Sequence, residues 1–386
     1  MMKKTLIFAL TLVICVIMLM PCRAFAEEAQ TPQPPEGAVN AKAAVLMSLD
    51  TGDVLYKLNE SEHLSPASVT KIMTILLVLE ALDNKTITLQ DSVTASEEAV
   101  SMGGSQIWLE VGETMTVEEL FKAVVVASAN DACTALAEYV GGSTAGFVKM
   151  MNDKAEALGL KDTHFENCNG LDDTVTNHYS CAYDLAVIAR EVMKHPLIED
   201  YTGIWLDSLR GGKTELNNTN KLMNTYNGIT GLKTGTTSNA GFCVAATARR
   251  DGMSLVAVVL GSDTSEERFD TAANLLDFGF AYYELLTPEI DGTQLTPIPV
   301  KGGDKTAVSP VAQSTDGVLV LKGGGDVTYD YRLPDELTAP VKKGSKVGEI
   351  VISGENGAIG SVPLVAAEDV LKLNLKDIII DILLNI

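Results

Sequence analysis

The spacing of apolar and polar residues changes character along this chain, and the changes divide it into regions. Residues 43–50 form an almost unbroken apolar run that predicts a strand, with Thr51-Gly52-Asp53 as its turn and Val54-Leu55-Tyr56 as the return. From Ser68 to about Tyr201 the spacing is helical, with apolar residues three and four apart over 72–82, 117–126, 131–140, 145–158 and 182–194. After Gly231 the period becomes strand-like. Residues 242–248 and 254–260 flank Arg250-Asp251-Gly252, which predicts a hairpin, and 271–276 predicts a closing helix. Strands on both sides of a helical block predict an α/β (α+β) domain, with helices around a mainly antiparallel sheet.

The two ends read differently. Residues 288–365 are rich in Gly, Val and Thr and carry short alternating runs at 317–322 and 346–352, which predicts a small C-terminal all-β domain. In the tail, 368–386, a helical wheel places Asn374, Asp377, Asp381 and Asn385 on one face. Leu371, Leu375, Ile378, Ile379, Ile382 and Ile386 lie on the other. This predicts an amphipathic helix, either docked on the β domain or anchored at the membrane surface; the anchor is the preferred reading. At the other end, Lys3 and Lys4 precede an apolar run over 6–20 and the small-x-small site Ala24-Phe25-Ala26. Residues 1–26 are therefore read as a cleaved export signal. Residues 27–38, with Thr31-Pro32-Gln33-Pro34-Pro35, read as a flexible leader. The α/β domain is then expected over 39–282.

Charge and cysteine content narrow the chemistry. The formal charge is -22, and loss of Lys3, Lys4 and Arg23 with the signal makes it more negative. Such a chain is a poor partner for nucleic acid. Past the signal, Cys133, Cys168, Cys181 and Cys243 show no C-x-x-C spacing, and His63, His164, His178 and His195 are scattered. No metal and no cofactor are expected. Export permits a Cys168–Cys181 disulfide, with buried free thiols the equal alternative.

Three short motifs in fixed order carry the chemistry: Ser68-Val69-Thr70-Lys71, Ser128-Ala129-Asn130 and Lys233-Thr234-Gly235. Ser68 opens an apolar helical run, where unsatisfied N–H groups favour negative charge, and Lys71 lies one turn on at i+3. A buried lysine beside other cations loses its proton readily and can act as general base on the Ser68 hydroxyl. Ser128 and Asn130 fall in a tight connection between two helices, able to relay a proton and to bind an amide carbonyl. Lys233 supplies positive charge, Thr234 a hydroxyl, and Gly235 room for a substrate backbone. Each motif alone has an ordinary explanation as a cap, a solvated lysine or a Gly-rich loop. Their order and context together point to serine acyl transfer without histidine.

With these motifs the chain resembles the low-molecular-mass penicillin-binding proteins, the serine D-Ala-D-Ala carboxypeptidases of bacterial cell walls. The likeness extends through Pro66-Ala67 before Ser68, Asp131-Ala132 after Asn130, Phe165-Glu166-Asn167, Gly170-Leu171, Gly228-Ile229 and Leu337-Thr338-Ala339-Pro340. It implies a penicillin-binding/β-lactamase-like domain with the β-rich domain behind it. Ser68 would attack the penultimate D-Ala carbonyl of a peptidoglycan stem peptide ending in D-Ala-D-Ala, and water would cleave the acyl-enzyme. The N–H groups of Ser68 and Thr236 would form the oxyanion hole. Thr234 with Arg268 would hold the terminal carboxylate. β-Lactam antibiotics would acylate Ser68, and the enzyme would work at the extracytoplasmic face of the membrane. The nearest rivals are a serine β-lactamase and an inactive wall-binding scaffold. The first is disfavoured by the setting of Glu166 and the β-rich domain, the second by the intact motifs.

Overall fold

The computed structural model describes residues 32–373, apart from 314–316, 324, 326 and 356. Five strands form the central sheet. They are β1 (Ala43–Ser48), β2 (Val54–Leu58), β3 (Ile229–Thr237), β4 (Gly241–Arg250) and β5 (Met253–Ser262), in the order β2-β1-β5-β4-β3. Every pairing in it is antiparallel, and the Arg250-Asp251-Gly252 turn joins β4 to β5.

Strand alternation explains why this sheet is apolar on both faces. On β1, Ala43, Val45 and Met47 enter one core while Ala44 and Leu46 enter another. On β5 the same split sends Val256, Val258 and Leu260 one way and Leu255, Ala257 and Val259 the other. The second core is closed by α6 (Ser265–Tyr282), which supplies Ala272, Leu275 and Leu276. This helix starts at a capping box between Thr264 and Glu267 and is longer than the apolar run at 271–276 suggested.

The first core holds α1 (Lys71–Asp83), α2 (Val117–Ala127), α3 (Asn130–Gly141), α4 (Thr144–Ala157) and α5 (Ala182–Met193). Every residue of α1 from Lys71 to Leu79 is buried, so this stretch has no solvated stripe and its opening lysine is fully buried. A capping box between Thr116 and Glu119 starts α2. Its C-cap is Ser128 at φ 61°, and the chain turns at once into α3.

Among the described residues beyond Tyr282 the regular elements are strands, apart from a 3-10 turn at Gly292–Gln294. β6 (Tyr283–Leu286) pairs with β8 (Val318–Leu321), while β7 (Pro310–Ala312), β9 (Thr328–Arg332), β10 (Lys346–Gly354) and β11 (Gly357–Ala366) form a sheet in the order β7-β11-β10-β9. Its core includes Ile350, Ile352, Val362 and Leu364. The start of the tail differs from the helix expected over 368–386. Val370 is fully buried and bridges Val341, and Lys372 bridges Gly303, so this stretch is extended. Val370 joins the β core, while Leu371, which the helical wheel assigned to the apolar face, is exposed. The remainder of that expected helix, 374–386, lies outside the described residues, as does the export signal. No helix among the described residues is long and apolar enough to cross a membrane.

Candidate active site

A short 3-10 turn, Ala67–Thr70, leads into α1 and presents Ser68 at its start. Ala67 takes φ +46°, a conformation that non-glycine residues rarely hold. Two glycines make the space around this turn. A Cβ at Gly170 would fall 1.9 Å from the Ala67 carbonyl oxygen. One at Gly235 would fall 2.9 Å from the amide nitrogens of Ser68 and Val69. Gly235 therefore lets β3 pass directly over the nucleophile turn, the close approach that a side chain would forbid.

Lys71 is the centre of the arrangement. Its ammonium donates to Ser68 Oγ at 2.8 Å, to Asn130 Oδ1 at 2.6 Å and to the Asn169 carbonyl at 2.8 Å. All three donors are thus used inside the protein. Burial disfavours the charged form and brings the Lys71 pKa down to about 8. Asn130 is fixed at both ends, since its Nδ2 donates to the Gly103 carbonyl at 2.7 Å. The next residue holds the same loop. The buried Asp131 carboxylate accepts from the N–H groups of Ile107 and Leu109 at 3.1 Å each.

The facing wall is β3. Lys233 is buried and donates to the Thr234 carbonyl at 2.9 Å. Burial, reinforced by Lys71 and Arg268, holds its pKa well below the ordinary lysine value. Thr234 donates to Thr219 Oγ at 2.6 Å. Arg268 is buried and its Nη1 donates to the Gly235 carbonyl at 2.9 Å, to Thr236 Oγ at 3.0 Å and to the Cys243 carbonyl at 3.2 Å. Burial lowers its pKa to about 10, which leaves it charged at neutral pH. Thr236 itself is exposed.

The fold thus brings Ser68, Lys71 and Asn130 into direct contact and lays Gly235 over them. It places Arg268 against Gly235 and Thr236 rather than against Thr234. Ser128 is buried but makes no side-chain hydrogen bond among the described residues. Several partners had no sequence signal of their own: the carbonyls of Gly103 and Asn169, and the hydroxyl of Thr219. A backbone carbonyl is present at every residue, so only its position distinguishes it. Asp172 is another, accepting from Ser65 Oγ at 2.7 Å and Thr237 Oγ at 2.6 Å and so joining the nucleophile segment to the end of β3. All four described cysteines are buried and unlinked, which excludes the Cys168–Cys181 disulfide. Among the described residues no cluster of His, Cys, Asp or Glu could hold a metal.

Comparison with known proteins gives a consistent picture. The profile of the D-alanyl-D-alanine carboxypeptidase family matches residues 28–264, and that of the penicillin-binding protein 5 C-terminal domain matches 283–372. The chain is 43% identical over 342 residues to D-alanyl-D-alanine carboxypeptidase DacF of Bacillus subtilis, covering 87% of each. The crystal structure of penicillin binding protein 5 from Haemophilus influenzae is similar with a TM-score of 0.78 and 32% identity, over 88% of this chain and all of that one. Penicillin-binding protein D2 from Listeria monocytogenes, solved in an ampicillin-bound form, is similar with a TM-score of 0.59 and 32% identity. That match covers 64% of this chain and all of the other.

Proposed function

The chain belongs to the D-alanyl-D-alanine carboxypeptidase family, and on that footing we propose that Ser68 is its nucleophile and Lys71 the base that activates it. The activity is that of a serine-type carboxypeptidase acting on peptidoglycan, outside the cytoplasm. The observation that carries the assignment is the Lys71 amine, buried and bonded to Ser68 Oγ at 2.8 Å. When this amine is neutral its lone pair faces the Ser68 hydroxyl, while two N–H bonds keep their hold on Asn130 and Asn169. The hydroxyl proton moves to Lys71 as the Ser68 oxygen attacks the penultimate D-Ala carbonyl. The N–H groups of Ser68 and Thr236 receive the developing oxyanion beneath the close pass of β3. Collapse of the tetrahedral intermediate breaks the peptide bond, and the proton reaches the leaving D-Ala nitrogen through Ser128. Water then attacks the acyl-Ser68 ester and releases the shortened stem peptide.

Asn130 binds the substrate amide through its remaining N–H. Lys233, Thr234 and Arg268 set a positive field for the terminal carboxylate, with Gly235 and Thr236 forming the backbone beside it. β-Lactams follow the first half of this path and acylate Ser68; the ampicillin-bound state of the Listeria relative supports this reading. The division into a serine peptidase domain over 39–282 and a β domain over 288–365 follows the change from α6 to strands after Tyr282. The amphipathic pattern beyond Leu373 supports a hold on the membrane surface.

The direct test incubates the protein with a pentapeptide ending in D-Ala-D-Ala and measures released D-Ala, alongside covalent labelling by a fluorescent penicillin. Both signals are expected, and Ser68→Ala abolishes both. Labelling that survives this substitution overturns the nucleophile assignment. Fast β-lactam turnover without D-Ala release favours a β-lactamase.

A further inference from the structure

We propose that His178 is a positioning residue for acyl transfer, tying the 165–171 loop to the turn that carries Ser68; this rests on the assignment of Ser68 and Lys71 above. The histidine is buried, and each ring nitrogen meets a different segment. Nδ1 lies 3.0 Å from the Glu166 backbone nitrogen, whose N–H can only donate. Nδ1 is therefore the acceptor and the ring proton sits on Nε2. Nε2–H then donates to Thr70 Oγ at 2.9 Å. Thr70 stands between Ser68 and Lys71 in the chain. The Phe165 ring packs against the imidazole at a centroid distance of 5.7 Å.

What the loop carries makes this grip matter. Its Cys168 carbonyl accepts from Thr74 Oγ at 2.6 Å, and its Asn169 carbonyl accepts from Lys71 at 2.8 Å. Gly170 follows, pressed against Ala67. The Asn169 carbonyl fixes one N–H of the lysine and so decides where its lone pair points. Shifting that carbonyl turns the lone pair away from Ser68, and misplacement of this kind costs rate out of proportion to its size. The opposite end of the loop is secured by the Glu166 carboxylate, which accepts from the N–H groups of Thr176 and Asn177 just ahead of His178. The ring, its own segment and the loop thus form one unit docked on α1. Burial lowers the His178 pKa to about 4, so the neutral ring that both bonds require is the working form.

The test compares acylation rates with a fluorescent penicillin, across a pH series, for the wild type, His178→Phe, His178→Gln, Thr70→Val and the His178→Phe/Thr70→Val pair. His178→Phe keeps the ring volume without its nitrogens; His178→Gln keeps a donor and an acceptor. Both His178→Phe and Thr70→Val are expected to slow acylation about tenfold or more. They also move the acid limb upward from about 8, as water reaches Lys71. The double variant is no slower than the slower single, because both lose one shared contact, and His178→Gln regains most of the rate. A wild-type rate and pH profile in His178→Phe overturns the proposal and leaves packing as the residue's only role. Should that variant not fold, Thr70→Val decides by the same criteria. Absence of acylation in the wild type overturns the Ser68–Lys71 assignment instead.

Discussion

The two halves of this molecule bury different things. Among the described residues every buried polar or charged side chain lies between Ser48 and Thr271, and the β region after Tyr282 has none. Its core is built from residues such as Ile350, Ile352, Val362 and Leu364. Burying Lys71, Lys233 and Arg268 without a carboxylate in contact raises the free energy of the fold, because each loses hydration that its hydrogen bonds only partly replace. The β region carries no such cost. The contrast separates a region that buries cations from one that only has to pack, and the proposed chemistry at Ser68 gives a reason to keep them.

Lys71→Met gives the largest expected effect on this contrast. It retains an unbranched buried side chain and removes the nitrogen, so acylation of Ser68 falls by about 10² to 10⁴, measured by stopped-flow labelling. In the wild type the acylation rate is expected to rise as pH passes the Lys71 value of about 8, because the neutral amine is the proposed base. Stability follows the same group. Between about 8 and its ordinary 10.5 the unfolded chain holds more protons at Lys71 than the folded one, so this residue's contribution to stability rises with pH through that window. A Lys71→Met protein that acylates at the wild-type rate removes the distinction between the halves.

A core deletion on the other side sharpens it. Ile352→Ala empties a fully buried position in the β region and lowers stability by about 2–5 kcal/mol in denaturant titration. While the protein remains folded, its acylation rate is expected to match the wild type. A parallel loss of rate shows that the two halves are coupled at the active site. The smallest effect is expected from truncation at Leu373. Removing 374–386 leaves acylation unchanged and reduces sedimentation with anionic lipid vesicles; unchanged sedimentation refutes the surface anchor.

Much of the architecture was legible before the fold was known. The helical period at 72–82 and the hairpin around Arg250-Asp251-Gly252 appear as α1 and as β4-β5, because local spacing decides which face an element can bury. The tail shows the limit of that reasoning. The wheel put Leu371 on an apolar face, yet Leu371 is exposed and its neighbour Val370 is buried in a bridge to Val341, since a nearby apolar core outweighs local periodicity. Within the site, Ser68 and Lys71 were legible as a pair three residues apart. The Asn169 carbonyl and the two-sided grip of His178 were not, because nothing in a residue's identity says where its backbone oxygen or ring nitrogens will lie.

By itself the sequence determined the elements, the order of the three motifs and the side chains able to attack, take a proton and bind an anion. Those properties are local: period sets the element, and functional groups come with the residue. The tertiary structure alone decided that Lys71 is cut off from water, that Asn130 and Asn169 reach it across 59 and 98 positions, and that β3 passes over Ser68 at a glycine. Proton affinity depends on surroundings, and the surroundings of Lys71 exist only once distant segments have packed against it.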